Sequence, residues 1–214
     1  MKKPMIFLGL VLVLSGCSSA YYNTMERFGK HKRDILVERV EEVRDAQQDG
    51  QEQFSSALEK YRAFIAFDGG ELEDQYDQLK AEFDDSEEAA QEIRDRIDAT
   101  EDVAGDLFDE WEDELNTYTN ATLKQDSQRK LRATRSDYDA LIKTMRTSEK
   151  RLDPALNAMR DQVLYLKHNL NAKAIASLAA EAATVERDVD ALLTSMQKSI
   201  EEANQFLAGM KEAG

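Results

Sequence analysis

Cys17 is the one cysteine in this chain of 214 residues, and it stands where a thiol has a defined chemistry. Leu14, Ser15 and Gly16 lead into it at the end of an apolar run, the pattern that a lipoprotein signal peptidase reads before the cysteine is acylated. Lys2 and Lys3 supply a positive start, and Met5 to Leu14 supply ten mostly large apolar residues, too few to cross a hydrocarbon core as a helix. Residues 1–16 therefore read as a lipoprotein signal peptide, and residues 17–25 as the lipidated N-terminus with a short tether. A cysteine elsewhere would most often be a small buried hydrophobe. Ser18 is not the aspartate that retains such proteins in the inner membrane of Gram-negative bacteria. The expected place is the inner leaflet of the outer membrane, facing the periplasm. With Cys17 acylated no thiol is left for a disulfide, so stability must come from packing.

Other chemistry is sparse. His31 and His168 do not form a pair at metal spacing, and an antiparallel bundle would put them at opposite ends. Gly69 and Gly70 precede Glu71-Leu72-Glu73 with no lysine to meet a phosphate, and no Gly-x-Ser-x-Gly elbow exists. Asp84-Asp85-Ser86-Glu87-Glu88 lacks the glycine of a calcium loop. Paired carboxylates on an acidic helix arise by chance and do not mark general acids. The reading is a non-enzyme with no metal or cofactor.

The bases just behind the cysteine are a different matter. Arg27, Lys30, Lys32 and Arg33 crowd among Tyr21, Tyr22 and Phe28, and next to a membrane they could meet phospholipid phosphates while the rings lie at the interface. Equally, Phe28 could be core and the bases the solvated start of a helix. A second dense segment, Arg160 to Leu178, carries small residues that let helices approach closely.

What must position these residues is helical throughout. The chain has two prolines and nine glycines, and its apolar residues recur at threes and fours. One row runs Leu36, Val40, Val43, Gln47, Gly50, Phe54, Leu58, Tyr61 and Ile65, with a polar middle at Gln47 and Gly50. The second runs from Leu72 through Leu79, Phe83, Ala90, Ile93, Ile97, Leu107 and Trp111 to Leu115 and Tyr118. A third runs from Leu131 through Tyr138, Met145 and Leu152, then slips by one to Leu156, Val163 and Leu170. The last runs from Val185 through Leu192 and Met196 to Leu207. Alternating steps of four and three make a heptad seam of coiled-coil type. The fold class is therefore all-α, a long antiparallel bundle of four helices in one elongated domain over residues 26–210.

Phe67-Asp68-Gly69-Gly70 is the first turn. Asn116 to Ser127 is the second, with Asp126 or Thr122 capping helix three. For the third, Asp153-Pro154 competes with Asn169-Leu170-Asn171. The latter is preferred because it gives helices of about 42, 47, 44 and 37 residues, rods of about 55 to 70 Å.

Charge orders the helices. Glu71 to Glu114 holds twenty acids and three bases, a net of −17, whereas Lys124 to Arg151 holds nine bases and four acids, a net of +5. Helices two and three should lie side by side with opposite charges flanking their seam. Beyond residue 16 the chain carries 26 bases against 43 acids, again a net of −17. That balance argues against nucleic acid as a partner, since such binding draws on neutralised phosphates.

At Phe67–Leu72, Leu107–Leu115 and the two dense segments the chain resembles a family of uncharacterised proteobacterial lipoproteins with a domain of unknown function, whose members are often labelled DNA repair ATPase. The resemblance implies a helical lipoprotein with no assigned activity. The residues offer no phosphate loop, and the charge has the wrong sign for DNA. The expected role is a lipid-anchored periplasmic scaffold or interaction protein, whose partners are the membrane, an unknown envelope protein or a second copy as a homodimer. The alternatives are a membrane-shaping or lipid-binding protein and a chaperone-like stress protein.

Replacing Cys17 with Ala should leave the precursor uncleaved and unlipidated. Metabolic labelling with a palmitate analogue checks it, and labelling of the variant at the parent level would refute the anchor.

Overall fold

A computed structural model describes residues 31–66 and 72–212 of the chain. They form α1 Lys32–Ile65, α2 Leu72–Leu115, α3 Ala121–His168 and α4 Ala172–Glu212. Each helix packs on its neighbours in the chain, and α4 closes the ring on α1, which makes an up-down-up-down four-helix bundle. At 1.5 Å per residue, the 44 residues of α2 span about 66 Å. The first turn, at residues 67–70, lies outside the described residues, as do residues 26–30 of the expected domain.

The second turn is shorter than expected, and α3 begins earlier. Its N-cap is Asn120, whose side-chain oxygen accepts from the backbone N–H of Thr122 at 3.0 Å and of Leu123 at 3.1 Å. Thr122 and Asp126 are therefore inside the helix and cap nothing at its start. The third turn is the Asn169–Asn171 one. The Asn171 side chain accepts from Ala174 N–H at 3.1 Å at the start of α4, and α3 runs unbroken through Pro154. Proline there removes the hydrogen bond to the Lys150 carbonyl. Both Pro154 and Lys150 face solvent, so water can meet the freed carbonyl. Asp153 starts no helix; it accepts from Arg94 of α2 at 2.7 Å.

The expected rows are the core. Leu36, Val40, Val43, Phe54, Leu58 and Tyr61 of α1 meet Leu79, Phe83, Ala90, Ile93 and Ile97 of α2 in one hydrophobic cluster with Leu141, Met145, Leu152, Val189, Leu192 and Met196. Two row ends depart from the seam, because the rods stop there: Tyr118 and Leu170 are exposed. Leu123, Leu164 and Tyr165 are exposed with them, so these apolar groups lie at the two tips of the bundle.

The α2–α3 seam carries the expected charge pairing. Arg135 reaches Glu112; Arg146 reaches Glu101 and, at 2.6 Å, Asp98; Arg160 reaches Glu87 at 2.6 Å; and Arg94 reaches Asp153 at 2.7 Å. Going from Glu112 to Glu101 to Arg94 to Glu87 takes steps of eleven, seven and seven residues down α2. The partners Arg135, Arg146, Asp153 and Arg160 take the same steps up α3. The register thus holds across Pro154 without a slip. Arg135 and Arg160 also lie over the rings of Phe108 and Phe83, at 4.9 and 5.7 Å from the ring centres.

The polar middle of α1 is buried as a unit. Gln47 is fully enclosed, and so are Thr100, Ser148 and Ser199. Thr100 donates to its own helix at Arg96 O, 2.8 Å away. The Gln47 amide and the Ser148 and Ser199 hydroxyls have no hydrogen-bond partner among the described residues. One turn further along α1, Gly50 makes a close approach: a Cβ there would lie 2.8 Å from Ile93 Cδ1 and 3.5 Å from Met196 Cε.

Gly50→Ala gains about 1 kcal/mol of helix propensity but pushes into Ile93. In the parent the clash should win and the variant should be destabilised. In an Ile93→Val background, which deletes the offending methyl, the same change should be neutral or stabilising, a coupling of about 1–2 kcal/mol. Urea titration of the four chains measures it, and strictly additive effects would mean that Ile93 moves aside freely.

Candidate functional site

The end of the bundle that receives the tether is built from all four helices. It holds the start of α1, the end of α2, the start of α3 and the end of α4. Cys17, Arg27 and Lys30 lie outside the described residues. His31 sits at the N-cap position of α1 with extended backbone, and its carbonyl accepts from Asp34 N–H at 2.9 Å and Ile35 N–H at 3.2 Å. Asp34 adds a favourable negative charge in the first turn.

Lys32 and Arg33, two of the four bases considered for phosphate contact, point into the protein. The Lys32 side chain is 8 % exposed, and its ammonium sits 2.8 Å from Glu110 of α2. Arg33 donates to the carbonyl of Met210 at 2.5 Å, where the end of α4 leaves acceptors unsatisfied. Trp111 of α2 donates its indole N–H to Ser127 Oγ of α3 at 2.8 Å. These three contacts tie α1 to α2, α1 to α4 and α2 to α3. A shallow groove lies over them, lined by His31, Lys32, Arg33, Leu107, Glu110, Trp111 and Glu114. The sequence reading did not find Glu110. Folding α1 back through Gly69-Gly70 places Lys32 opposite residues near 107, so the hairpin register was the available signal.

His31 and His168 are at opposite ends, since His168 closes α3 at the other tip. No group of three or more His, Cys, Asp or Glu side chains among the described residues is placed to hold a metal. The interior is filled: a gap of about 10 Å³ among Leu58, Tyr61, Leu79, Phe83 and Val163 admits no substrate.

Electrostatics serve the fold. Arg146 is raised above its ordinary value first by its hydrogen bond with Glu101; burial opposes this next, and the hydrogen bonds with Glu149 and Asp98 add to the rise. Tyr138 is raised mainly by burial, with its ring edge-on to Phe108 at 5.5 Å. Tyr61 donates to the Leu178 carbonyl at 3.0 Å, tying α1 to α4 near the far end. Burial, then the charges of Glu181 and Glu186, push its hydroxyl up to about 12.

The fold and this end define an elongated helical bundle behind a lipid-attachment leader. The first eighteen residues match the prokaryotic membrane lipoprotein lipid attachment site, which makes the chain a lipid-anchored envelope protein. Residues 21–210 match the family described as protein of unknown function DUF2959, and the chain belongs to that family. No curated protein and no solved structure matches it.

A phenol whose folded pKa is raised binds its proton more tightly in the native state. Its stabilisation is therefore complete below the unfolded value of 10 and is lost as pH rises from about 10 to 12. Tyr61 alone should account for a fall of about 2–3 kcal/mol over that window. Denaturant titrations at stepped pH should show a shallower decline for Tyr61→Phe. An unchanged slope would mean that the phenol does not ionise on unfolding.

Proposed function

We propose that this chain is a non-enzymatic, lipid-anchored scaffold or interaction protein at the periplasmic face of the outer membrane. The observation that carries the reading is a solid interior held by an in-register ring of four helices, whose buried side chains serve packing. The grooves between its helices, such as the one lined by Lys143, Thr144, Ser195, Lys198 and Glu202, lie on the outside of the rod rather than within it. The lipid attachment site and Ser18 support the location. The charge supports the exclusion of nucleic acid, since a net of −17 beyond the leader repels a polyanion.

Purified protein should hydrolyse no ATP above background and should not retard DNA at physiological salt. A turnover that survives repurification and disappears on a point change in this chain would overturn the reading. Cross-linking in intact envelopes followed by affinity capture should return a defined protein partner, and fractionation should place the protein with the outer membrane.

A further inference from the structure

We propose that the α2–α3 turn is a second, noncovalent membrane contact, a shallow apolar foot that sets the bundle upright on the bilayer beside its lipid anchor. The inference rests on acylation at Cys17. Asn116 to Leu123 are all exposed, and none of these eight residues is charged, in a chain where one residue in three is. Within that stretch Tyr118 is 39 % exposed and Leu123 57 %. Neither supports the core. The Asn120 cap holds Leu123 in the first turn of α3, so its projection at the tip is ordered. A tyrosine and a leucine among threonines and asparagines suit the boundary between headgroups and acyl chains, where an amphipathic ring and an aliphatic group both lower their free energy.

The tether selects this tip. Thirteen residues lie between Cys17 and His31, so the fourteen steps from one to the other reach at most about 50 Å. His31 lies at the same end as the α2–α3 turn. The other apolar tip, with Leu164, Tyr165 and Leu170, is about 65 Å away along the rod. A tether of that length cannot invert the bundle to present it. Lying flat on α2 would press its acidic flank onto an anionic surface, whereas lying on the basic first half of α3 would be a salt-sensitive contact, which the label at position 150 detects. The foot itself is uncharged, so its contact should be insensitive to salt, unlike a grip by lysines and arginines.

The sole native cysteine carries the lipid, so one introduced thiol can be labelled in the mature protein. Lipidated full chain is reconstituted in phosphatidylcholine/phosphatidylglycerol vesicles with a fluorophore at Leu123→Cys, Lys150→Cys or Leu170→Cys. Lipid-borne quenchers should quench the label at 123 several-fold more than those at 150 and 170, at low and high salt alike. A second arm leaves the foot native and reads energy transfer from the label at 170 to acceptors in the bilayer. Transfer should be low in the parent and rise in Tyr118→Ser/Leu123→Ser as the rod loses its upright stance. Vesicle-attached protein with label 123 as unquenched as 170 would overturn the foot while leaving the anchor intact. Quenching at all three positions means a flat-lying rod and overturns it too. So does a shift at 123 that depends on protein density rather than on quencher, which would mark a contact between copies. Protein that fails to float with vesicles would overturn the anchor and the foot together.

Discussion

The core of this rod is one narrow seam filled along its length by side chains from all four helices, so register is the constraint on which everything else depends. A third of the residues are charged, and a slip of one position on any helix would carry carboxylates or ammonium groups into the seam. The pairs Glu112/Arg135, Glu101/Arg146, Arg94/Asp153 and Glu87/Arg160 guard against that slip along the length of α2 and α3. Each is partly exposed and contributes no more than about 1 kcal/mol. Their joint effect lies in the mismatched alternatives, where the equal steps on the two helices would be lost and acids would face acids.

The middle of the rod uses a different device. Gln47 is enclosed without a hydrogen-bond partner among the described residues, one turn from the glycine that lets Ile93 approach. An apolar residue at Gln47 would pack with less cost, and a larger one at Gly50 would tolerate only another spacing of α1 and α2. Both residues lower stability locally. Both also restrict which layers can face one another, the use best attested for polar groups in helical seams.

These features were unequally legible in the sequence. The rows of apolar residues were, because period is a local property and burial follows it. Gln47 and Gly50 stood out as a weak stretch, and they are buried because the row on either side leaves them no other place. Tyr118 and Leu170 were misjudged for the same reason: period continues past the point where the partner helices end, and only the finished bundle shows where that is. The cap at Asn120 was missed among Thr, Asn and Asp residues of similar capping strength. Lys32 with Glu110 and Trp111 with Ser127 depend on the register between helices, which no single segment contains. Lys32 in particular reads as a headgroup ligand by position and becomes a structural residue once α2 supplies a carboxylate beside it.

That exchange of roles bears on how the anchored end works. A protein held through one helix is only as firm as that helix's hold on the others, and α1 begins where any pull from the tether would arrive. Lys32 passes such a load to α2, Arg33 passes it to the end of α4, and Trp111 passes it on to α3. With these bases engaged in closing the bundle, the uncharged stretch from Asn116 to Leu123 is what protrudes at this end. At the opposite end Tyr61 ties α1 to α4 below Leu164, Tyr165 and Leu170. A rod fastened this way at both ends does not splay under load, so an upright stance would hold those three residues at a fixed height of about 65 Å above the bilayer. A partner met at that height would be selected by reach as much as by contact chemistry.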